Sequence, residues 1–157
     1  MTFLNVSGKN ILIIGLARSG LAAADLLLRR GAHVQGADRK SAAELAPEIV
    51  EFERRGLELL AGDPGPEALA GIDLVVLSPG VPRSAPLVAE AIRRGLPLIG
   101  ELELAARFAK APIVAVTGTN GKSTTVTWIG ALAESLGRKA VVAGNVPPGL
   151  GSYAQWD

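Results

Sequence analysis

The sequence of 157 residues contains no cysteine and only one histidine. The lack of cysteine excludes disulfide bonds, iron–sulfur clusters, thiolate zinc sites and a cysteine nucleophile. Lysine and arginine together number 16 against 15 acidic residues, a net charge of +1, so nothing in the charge balance favours nucleic acid or an anionic membrane as a partner. The apolar run Ile11–Leu16 is too short to span a membrane and lacks a signal-peptide cleavage pattern, so we expect a cytoplasmic protein.

Hydrophobic residues make up 48% of the chain and charged residues 20%, with 19 glycines and 10 prolines, a composition typical of a folded α/β protein. The continuous apolar run Ile11–Ile14, stopped by Gly15, predicts a strand buried on both faces of a parallel sheet. Apolar residues then recur at helical spacing over about Ser19–Arg30. A second strand over His33–Ala37, ending at Asp38, completes a βαβ unit.

The same alternation continues through the next sixty residues. It predicts a helix around Glu44–Arg55, a short strand near Leu57–Leu60, a strongly apolar strand over Asp73–Leu77, a further helix, and a last apolar segment at Leu96–Gly100. Ligands of open α/β sheets bind outside the carboxyl ends of the strands. We therefore expect one candidate pocket, formed by three segments: Gly15–Gly20, Asp38 and Ser78–Gly80.

A second unit is predicted after the first sheet, which divides the chain into residues 1–100 and 101–157. The pattern predicts a helix over Glu101–Lys110, a buried strand over Ile113–Val116, a helix reaching about Ser135, and a strand over Ala140–Ala143. The 57 residues after position 100 are too few for a complete nucleotide-binding sheet, so we expect a truncated second domain.

The strongest motif follows the predicted strand Ile113–Val116 and opens the next helix. It consists of Gly118, Thr119, Asn120, Gly121, Lys122, Ser123 and Thr124. A strand that turns through glycines into a helix carrying Lys-Ser is typical of a phosphate cradle, in which Lys122 neutralises the β- and γ-phosphates and the Ser123 hydroxyl holds Mg²⁺. Two residues separate the glycines, whereas the general pattern has four. The alternative is an ordinary glycine-rich turn.

A second motif, Gly15-Leu16-Ala17-Arg18-Ser19-Gly20, nearly matches the dinucleotide fingerprint G-x-G-x-x-G, with Ala17 at the middle glycine. Asp38 lies 18 residues after Gly20, where dinucleotide folds place a ribose-binding acid, so NAD is one candidate ligand. The alternative is a tight turn without a ligand. Ser78-Pro79-Gly80 is either a binding loop or a strand-ending turn, and Asn145 either binds substrate or caps a turn.

Taken in order, these motifs together with Gly144-Asn145 resemble the Mur ligases of peptidoglycan synthesis, and most of all the members that add D-glutamate. The resemblance extends over essentially the whole chain, as a Rossmann-like domain followed by the start of a P-loop ATPase domain. It implies a ligase that uses ATP and Mg²⁺ to convert the carboxylate of UDP-N-acetylmuramoyl-L-alanine into an acyl phosphate, which the amine of D-glutamate attacks. It also implies a cytoplasmic monomer.

The same resemblance implies roles for particular residues. Lys122 and Ser123 would hold phosphate and Mg²⁺ within the loop already described. The residues implied to bind the UDP-sugar are Arg18 and Ser19 beside the uracil and pyrophosphate, Asp38 and Arg39 beside the uridine, Ser78 and Gly80 beside the sugar diphosphate, and Asn145 beside the muramoyl group.

Other catalytic groups of the family have no counterpart among these 157 residues, so we expect binding without turnover. Two further possibilities remain open at this point. One is a stand-alone module that binds a UDP-sugar, and the other is an NAD-binding Rossmann protein. The Lys122 loop argues against the NAD-binding protein.

Overall fold

The computed structural model describes residues 4–45, 47 and 49–143. Five parallel strands form one sheet in the order β3-β2-β1-β4-β5. The strands are Asn10–Ile14 (β1), His33–Asp38 (β2), Leu57–Ala61 (β3), Leu74–Leu77 (β4) and Leu98–Gly100 (β5). The parallel sheet expected from the sequence is confirmed, with β1 at its centre.

Five α-helices accompany the strands. They are Arg18–Arg29 (α1), Ile49–Arg54 (α2), Pro86–Arg93 (α3), Glu101–Phe108 (α4) and Lys122–Ser135 (α5). Buried residues of α1, α2 and α4 join one apolar cluster on one face of the sheet, whereas those of α3 join a second cluster on the opposite face. Helices therefore cover both faces, as expected for a Rossmann-like fold. No helix in the described part of the chain is long and apolar enough to cross a membrane.

The central strand β1 shows why a continuous apolar run was a reliable signal. Ile11 and Ile13 pack into the cluster shared with α1 and α4, while Leu12 and Ile14 pack into the cluster shared with α3. Successive side chains of a strand point to opposite faces, so a strand covered on both faces must be apolar at every position. Each such side chain contributes roughly 1.5–3 kcal/mol of transfer free energy on burial.

Helix α4 follows β5 directly and packs on the same sheet. Leu104, Ala105 and Phe108 are 1%, 1% and 6% exposed, and all three belong to the cluster formed by β1, β4 and α1. The ring of Phe108 also lies 4.9 Å below the guanidinium carbon of Arg30, which follows α1. The first residues after position 100 thus complete the core of the first sheet, and the division between residues 1–100 and 101–157 stays a prediction.

The predicted helix over residues 44–55 is wrong in its first half. A short 3₁₀ helix covers Ala42–Glu44, the backbone of Leu45 is extended, and α2 begins only at Ile49. Pro47 accounts for the interruption, because proline lacks an N–H and disfavours helical conformation in the residue before it.

The two strands predicted in the second unit are also wrong. Neither Ile113–Val116 nor Ala140–Ala143 forms a strand, and Ile113 and Val114 are 45% and 65% exposed. A strand needs a hydrogen-bonded neighbour, and no strand lies among residues 109–143 to provide one. The helix predicted between them is confirmed as α5, and the positive φ of Gly137 ends it.

Candidate functional site

The loops after β1, β2 and β4 meet at the carboxyl edge of the sheet. The Gly15 N–H donates to the carbonyl oxygen of Ala37 at 2.8 Å, and the Ser78 N–H donates to that of Ile14 at 3.0 Å. These bonds extend the parallel ladders past the ends of the strands. The structure therefore brings together the three segments that the sequence assigned to one pocket.

Two glycines allow the β1–α1 turn to be tight. Gly15 has a φ of +95°, and a Cβ there would lie 2.8 Å from a methyl group of Val81. A Cβ on Gly20 would lie only 1.9 Å from the carbonyl oxygen of Gly15. Ala17, which replaces the middle glycine of the fingerprint, is exposed. The first and last glycines are thus required by close packing, and the middle position is not.

Side chains from β2 and β4 bind the backbone of this turn. The Leu16 N–H donates to Asp38 Oδ2 at 2.8 Å, and the Lys40 N–H donates to Asp38 Oδ1 at 3.0 Å. The Ser78 hydroxyl, in a residue 4% exposed, donates to the carbonyl oxygen of Gly15 at 2.8 Å. Asp38 and Ser78 therefore hold protein backbone in this structure.

A cleft of about 540 Å³ opens beside this turn. The first turns of α1, including Arg18, form one side, and Asp38 and Lys40 form another, with Leu45 and Phe52 as an apolar wall. Arg18 and Lys40 are both exposed, so their cationic groups reach solvent at the cleft. The volume and lining fit a ligand that has both an anionic and an apolar part.

The N-terminus of α1 adds anion-binding capacity to the cleft. Its N-cap is Ala17, and no side chain caps the first turn. The first N–H groups of a helix have no acceptor within the helix and carry partial positive charge, so they bind phosphate readily. The carboxylate of Asp25, farther along α1, is paired with Arg29 at 3.0 Å and with Arg55 at 2.5 Å, which offsets its negative charge.

The predicted substrate residues are distributed unevenly around the cleft. Arg18 and Asp38 line it, Ser78 is buried behind the turn, and Arg39 and Gly80 are exposed outside the lining. Ser19, in the first turn of α1, is half-buried. Asn145 lies outside the described residues.

Sequence reasoning assigned no ligand role to six residues of the cleft lining: Leu21, Ala22, Asp25, Lys40, Leu45 and Phe52. The place of Lys40, two positions after the strand-ending Asp38, was a signal from which a second cation at the cleft could have been predicted. Leu45 and Phe52 had no such signal, because both fall within the single helix predicted around Glu44–Arg55.

The second candidate loop lies before α5. Gly118 and Gly121 have φ values of +148° and +77°, and Gly121 is the N-cap of α5. Lys122 folds back over this loop, and its ammonium donates to the carbonyl oxygens of Gly118 at 2.6 Å and of Thr119 at 3.3 Å. The loop thus places a lysine ammonium and the start of a helix at one exposed point.

The remaining residues of that motif, Asn120, Ser123 and Thr124, are exposed. The Ser123 hydroxyl is a hard oxygen ligand of the kind that Mg²⁺ prefers. Among residues 4–45, 47 and 49–143, no three His, Asp or Glu side chains are grouped closely enough to hold a metal ion. The described residues therefore offer Mg²⁺ a hydroxyl next to the glycine-rich loop and no carboxylate cage.

Comparison with known proteins identifies the family. The sequence model of the Mur ligase MurD-like N-terminal domain matches residues 9–100. A UDP-N-acetylmuramoylalanine--D-glutamate ligase of Koribacter versatilis is 41% identical over 152 residues, 97% of this chain and 34% of the ligase. The ligase of the same name in Pelotomaculum thermopropionicum is 46% identical over 139 residues, 88% of this chain and 30% of the ligase. The chain thus spans about a third of the length of these curated relatives.

Solved structures show the same fold at lower identity. A murein peptide ligase of Psychrobacter arcticus superposes with a TM-score of 0.60 at 24% identity, covering 83% of this chain and 27% of that one. The UDP-N-acetylmuramate-alanine ligase MurC of Thermotoga maritima gives 0.54 at 22% identity, covering 81% and 29%. The sequence match over most of the chain and the shared Rossmann-like architecture agree: the chain belongs to the Mur ligase family and corresponds to the N-terminal portion of its MurD-like members.

Proposed function

We propose that this chain forms the nucleotide-sugar-binding part, and the start of the ATP-binding part, of a ligase that adds D-glutamate to UDP-N-acetylmuramoyl-L-alanine. The observation that carries the proposal is the cleft at the carboxyl edge, which combines the uncapped N-terminus of α1 with two cationic side chains, Arg18 and Lys40. The names of the relatives support the choice of substrate. The protein would act as a monomer in the cytoplasm.

The substrate diphosphate would bind at the first turn of α1. Its N–H groups and the Arg18 guanidinium are donors for phosphate oxygens, and charge-assisted hydrogen bonds of this kind are the strong ones. The uridine would extend toward Lys40 and the apolar wall of Leu45 and Phe52. This division of the cleft matches a ligand that has a charged centre and a flat base at one end.

The names of the relatives favour a UDP-sugar over NAD, and two features of the turn depart from the standard dinucleotide-binding pattern. In dinucleotide-binding folds the corresponding acid accepts hydrogen bonds from ribose hydroxyls. Here each carboxylate oxygen already accepts a backbone N–H, from Leu16 and from Lys40. Ala17, in place of the middle glycine, is the second departure from the dinucleotide fingerprint and would keep the diphosphate of either ligand farther from the backbone of the turn.

ATP would bind at the loop from Gly118 to Thr124. Bound ATP with Mg²⁺ would supply a phosphoryl group to the substrate carboxylate, with release of ADP, and attack of the D-glutamate amine on the resulting acyl phosphate would form the amide and release phosphate. The Lys122 ammonium would exchange the carbonyl oxygens of Gly118 and Thr119 for phosphate oxygens, and the Ser123 hydroxyl would bind Mg²⁺. Because phosphoryl transfer needs several charged groups acting together, we expect this chain alone to bind without turnover.

Isothermal titration calorimetry of the chain with UDP-N-acetylmuramoyl-L-alanine, and in parallel with NAD, tests the proposal. We expect saturable heat with the UDP-sugar and none with NAD. Arg18→Ala should weaken the binding by roughly tenfold or more, the value of a charge-assisted hydrogen bond. Arg138→Ala, which removes an exposed cation after α5, serves as the matched control and should leave the affinity unchanged.

Two outcomes would contradict the proposal. Binding of NAD without binding of the UDP-sugar would make the chain a dinucleotide-binding protein. Equal affinities of the Arg18→Ala and Arg138→Ala variants for the UDP-sugar would place the diphosphate away from α1.

A further inference from the structure

One peptide unit at the carboxyl edge, between Gly15 and Leu16, is held at both ends by side chains from two different strand ends. Its carbonyl oxygen accepts the Ser78 hydroxyl at 2.8 Å, and its N–H donates to Asp38 Oδ2, also at 2.8 Å. We propose that Ser78 and Asp38 are positioning residues that together fix this peptide, and through it the first turn of α1. We call this arrangement the peptide clamp. The inference rests on the proposed function, because the first turn of α1 is where substrate phosphate would bind.

The Ser78 side of the clamp is committed to the protein. A serine hydroxyl has one proton to donate, and the carbonyl oxygen of Gly15 at 2.8 Å is its closest acceptor. The next acceptor, Glu101 Oε2, lies at 3.2 Å. Ser78 is also 4% exposed. The Ser78 hydroxyl therefore has no further proton to donate to a ligand.

The Asp38 side of the clamp joins two loops. One oxygen accepts the Leu16 N–H and the other accepts the Lys40 N–H, so a single carboxylate ties the β1–α1 turn to the loop after β2. Both bonds have an ionisable acceptor, which makes them stronger than neutral hydrogen bonds. The same carboxylate therefore sets the spacing between the two sides of the cleft.

The turn needs such fixing because glycine cannot supply it. Gly15, at a φ of +95°, belongs to the residue type with the greatest backbone freedom. Its carbonyl oxygen lies so close to α1 that only glycine fits at position 20. Rotation of the 15–16 peptide would break both the Ser78 and the Asp38 hydrogen bonds. Two side chains thus provide the orientation that the glycine itself does not.

Hydrogen exchange of the Leu16 amide in the ligand-free chain, measured by NMR, tests the clamp directly. Ser78→Ala and Asp38→Ala should each speed this exchange by roughly fivefold to tenfold, the factor that corresponds to one ordinary hydrogen bond. Asp38→Asn keeps one acceptor oxygen and should restore part of the protection. Ser84→Ala and Asp63→Asn change exposed residues of the same types and should have no effect.

A double-mutant cycle on the binding of UDP-N-acetylmuramoyl-L-alanine tests the functional consequence. If Ser78 and Asp38 act through the same peptide, the double alanine variant should bind about as weakly as the weaker of the two single variants. If each instead touches the substrate independently, the losses of affinity should multiply. Thermal unfolding of every variant confirms that it folds. If Ser78→Ala does not fold, Ser78→Cys, whose thiol is a weaker hydrogen-bond donor than the hydroxyl, replaces it.

The outcomes separate this inference from the proposed function. Unchanged Leu16 exchange in Ser78→Ala and Asp38→Ala, or independent effects in the binding cycle, would overturn the clamp. Failure of the unsubstituted chain to bind the UDP-sugar would refute the proposed function, while the exchange experiment would still decide whether the clamp exists.

Discussion

Substitution of Leu104 by alanine tests whether α4 completes the core of the first sheet. Leu104 is 1% exposed and belongs to the apolar cluster that includes Ile13 of β1 and Val76 of β4. The substitution removes three carbon atoms and leaves a cavity, which the neighbouring residues of the sheet and α1 can fill only partly. Substitutions of this kind destabilise a folded protein by about 2–5 kcal/mol, through lost burial and the cavity that remains.

Leu102→Ala provides the matched control. Leu102 lies on the same helix, is 58% exposed, and undergoes the same change in helix propensity. Exposed substitutions usually change the free energy of unfolding by about 0.5 kcal/mol or less. The difference between the two variants therefore isolates burial against the sheet.

Thermal unfolding followed by circular dichroism gives the comparison. For a protein of this size each kcal/mol shifts Tm by about 2–4 °C, so Leu104→Ala should unfold on the order of 10 °C below Leu102→Ala. Midpoints within about 1 °C of each other would refute the reasoning. They would show that α4 contributes nothing to the stability of the first sheet.

Three further predictions concern the turn, the second loop and acid stability. Gly20→Ala should lower the free energy of unfolding by about 1–3 kcal/mol despite the better helix propensity of alanine, because the new Cβ meets the Gly15 carbonyl oxygen; an unchanged midpoint in urea would contradict this. Lys122→Met should weaken the binding of a fluorescent ATP analogue by roughly tenfold or more, and the prediction fails if Lys139→Met, the exposed control, weakens it equally. Hydrogen bonds from Arg93 and then Arg94 lower the pKa of Glu90 from 4.5 to about 2. The stability that the ionised Glu90 carboxylate adds to the folded protein is therefore present in full above pH 4.5 and is lost as the pH falls toward 2. Glu90→Gln should make the free energy of unfolding depend less on pH between 4.5 and 2. An unaltered pH dependence would show that the bonds from Arg93 and Arg94 to Glu90 add no stability.

Local patterns were sufficient for the first sheet. The run Ile11–Ile14 has the apolar character that burial on two faces demands, and Gly137 ends α5 at a positive φ that few other residues adopt. One failure, in the first half of the helix predicted over Glu44–Arg55, came from the local effect of Pro47, and the other two came where a pattern needs a distant partner. Ile113–Val116 is as apolar as β1, but its conformation depends on a neighbouring strand that the sequence pattern cannot specify.

The candidate site was predictable by position and not by orientation. Gly15, Asp38 and Ser78 were expected at one edge because parallel strands place their carboxyl ends together. Spacing along the chain carries no information about which way a side chain points. Only the structure shows that both Asp38 oxygens accept backbone N–H groups. It also shows that the Ser78 hydroxyl donates to the Gly15 carbonyl oxygen.

Helix α4 makes contacts near both ends of the sheet. Its first residue, Glu101, lies beside the Ser78 hydroxyl at the carboxyl edge of the sheet, and its last, Phe108, lies beneath Arg30, just after the end of α1. An eight-residue helix spans about 12 Å and bends little over that length. A displacement of the chain after Phe108 would therefore be transmitted along α4 to Glu101, which contacts the Ser78 hydroxyl behind the β1–α1 turn.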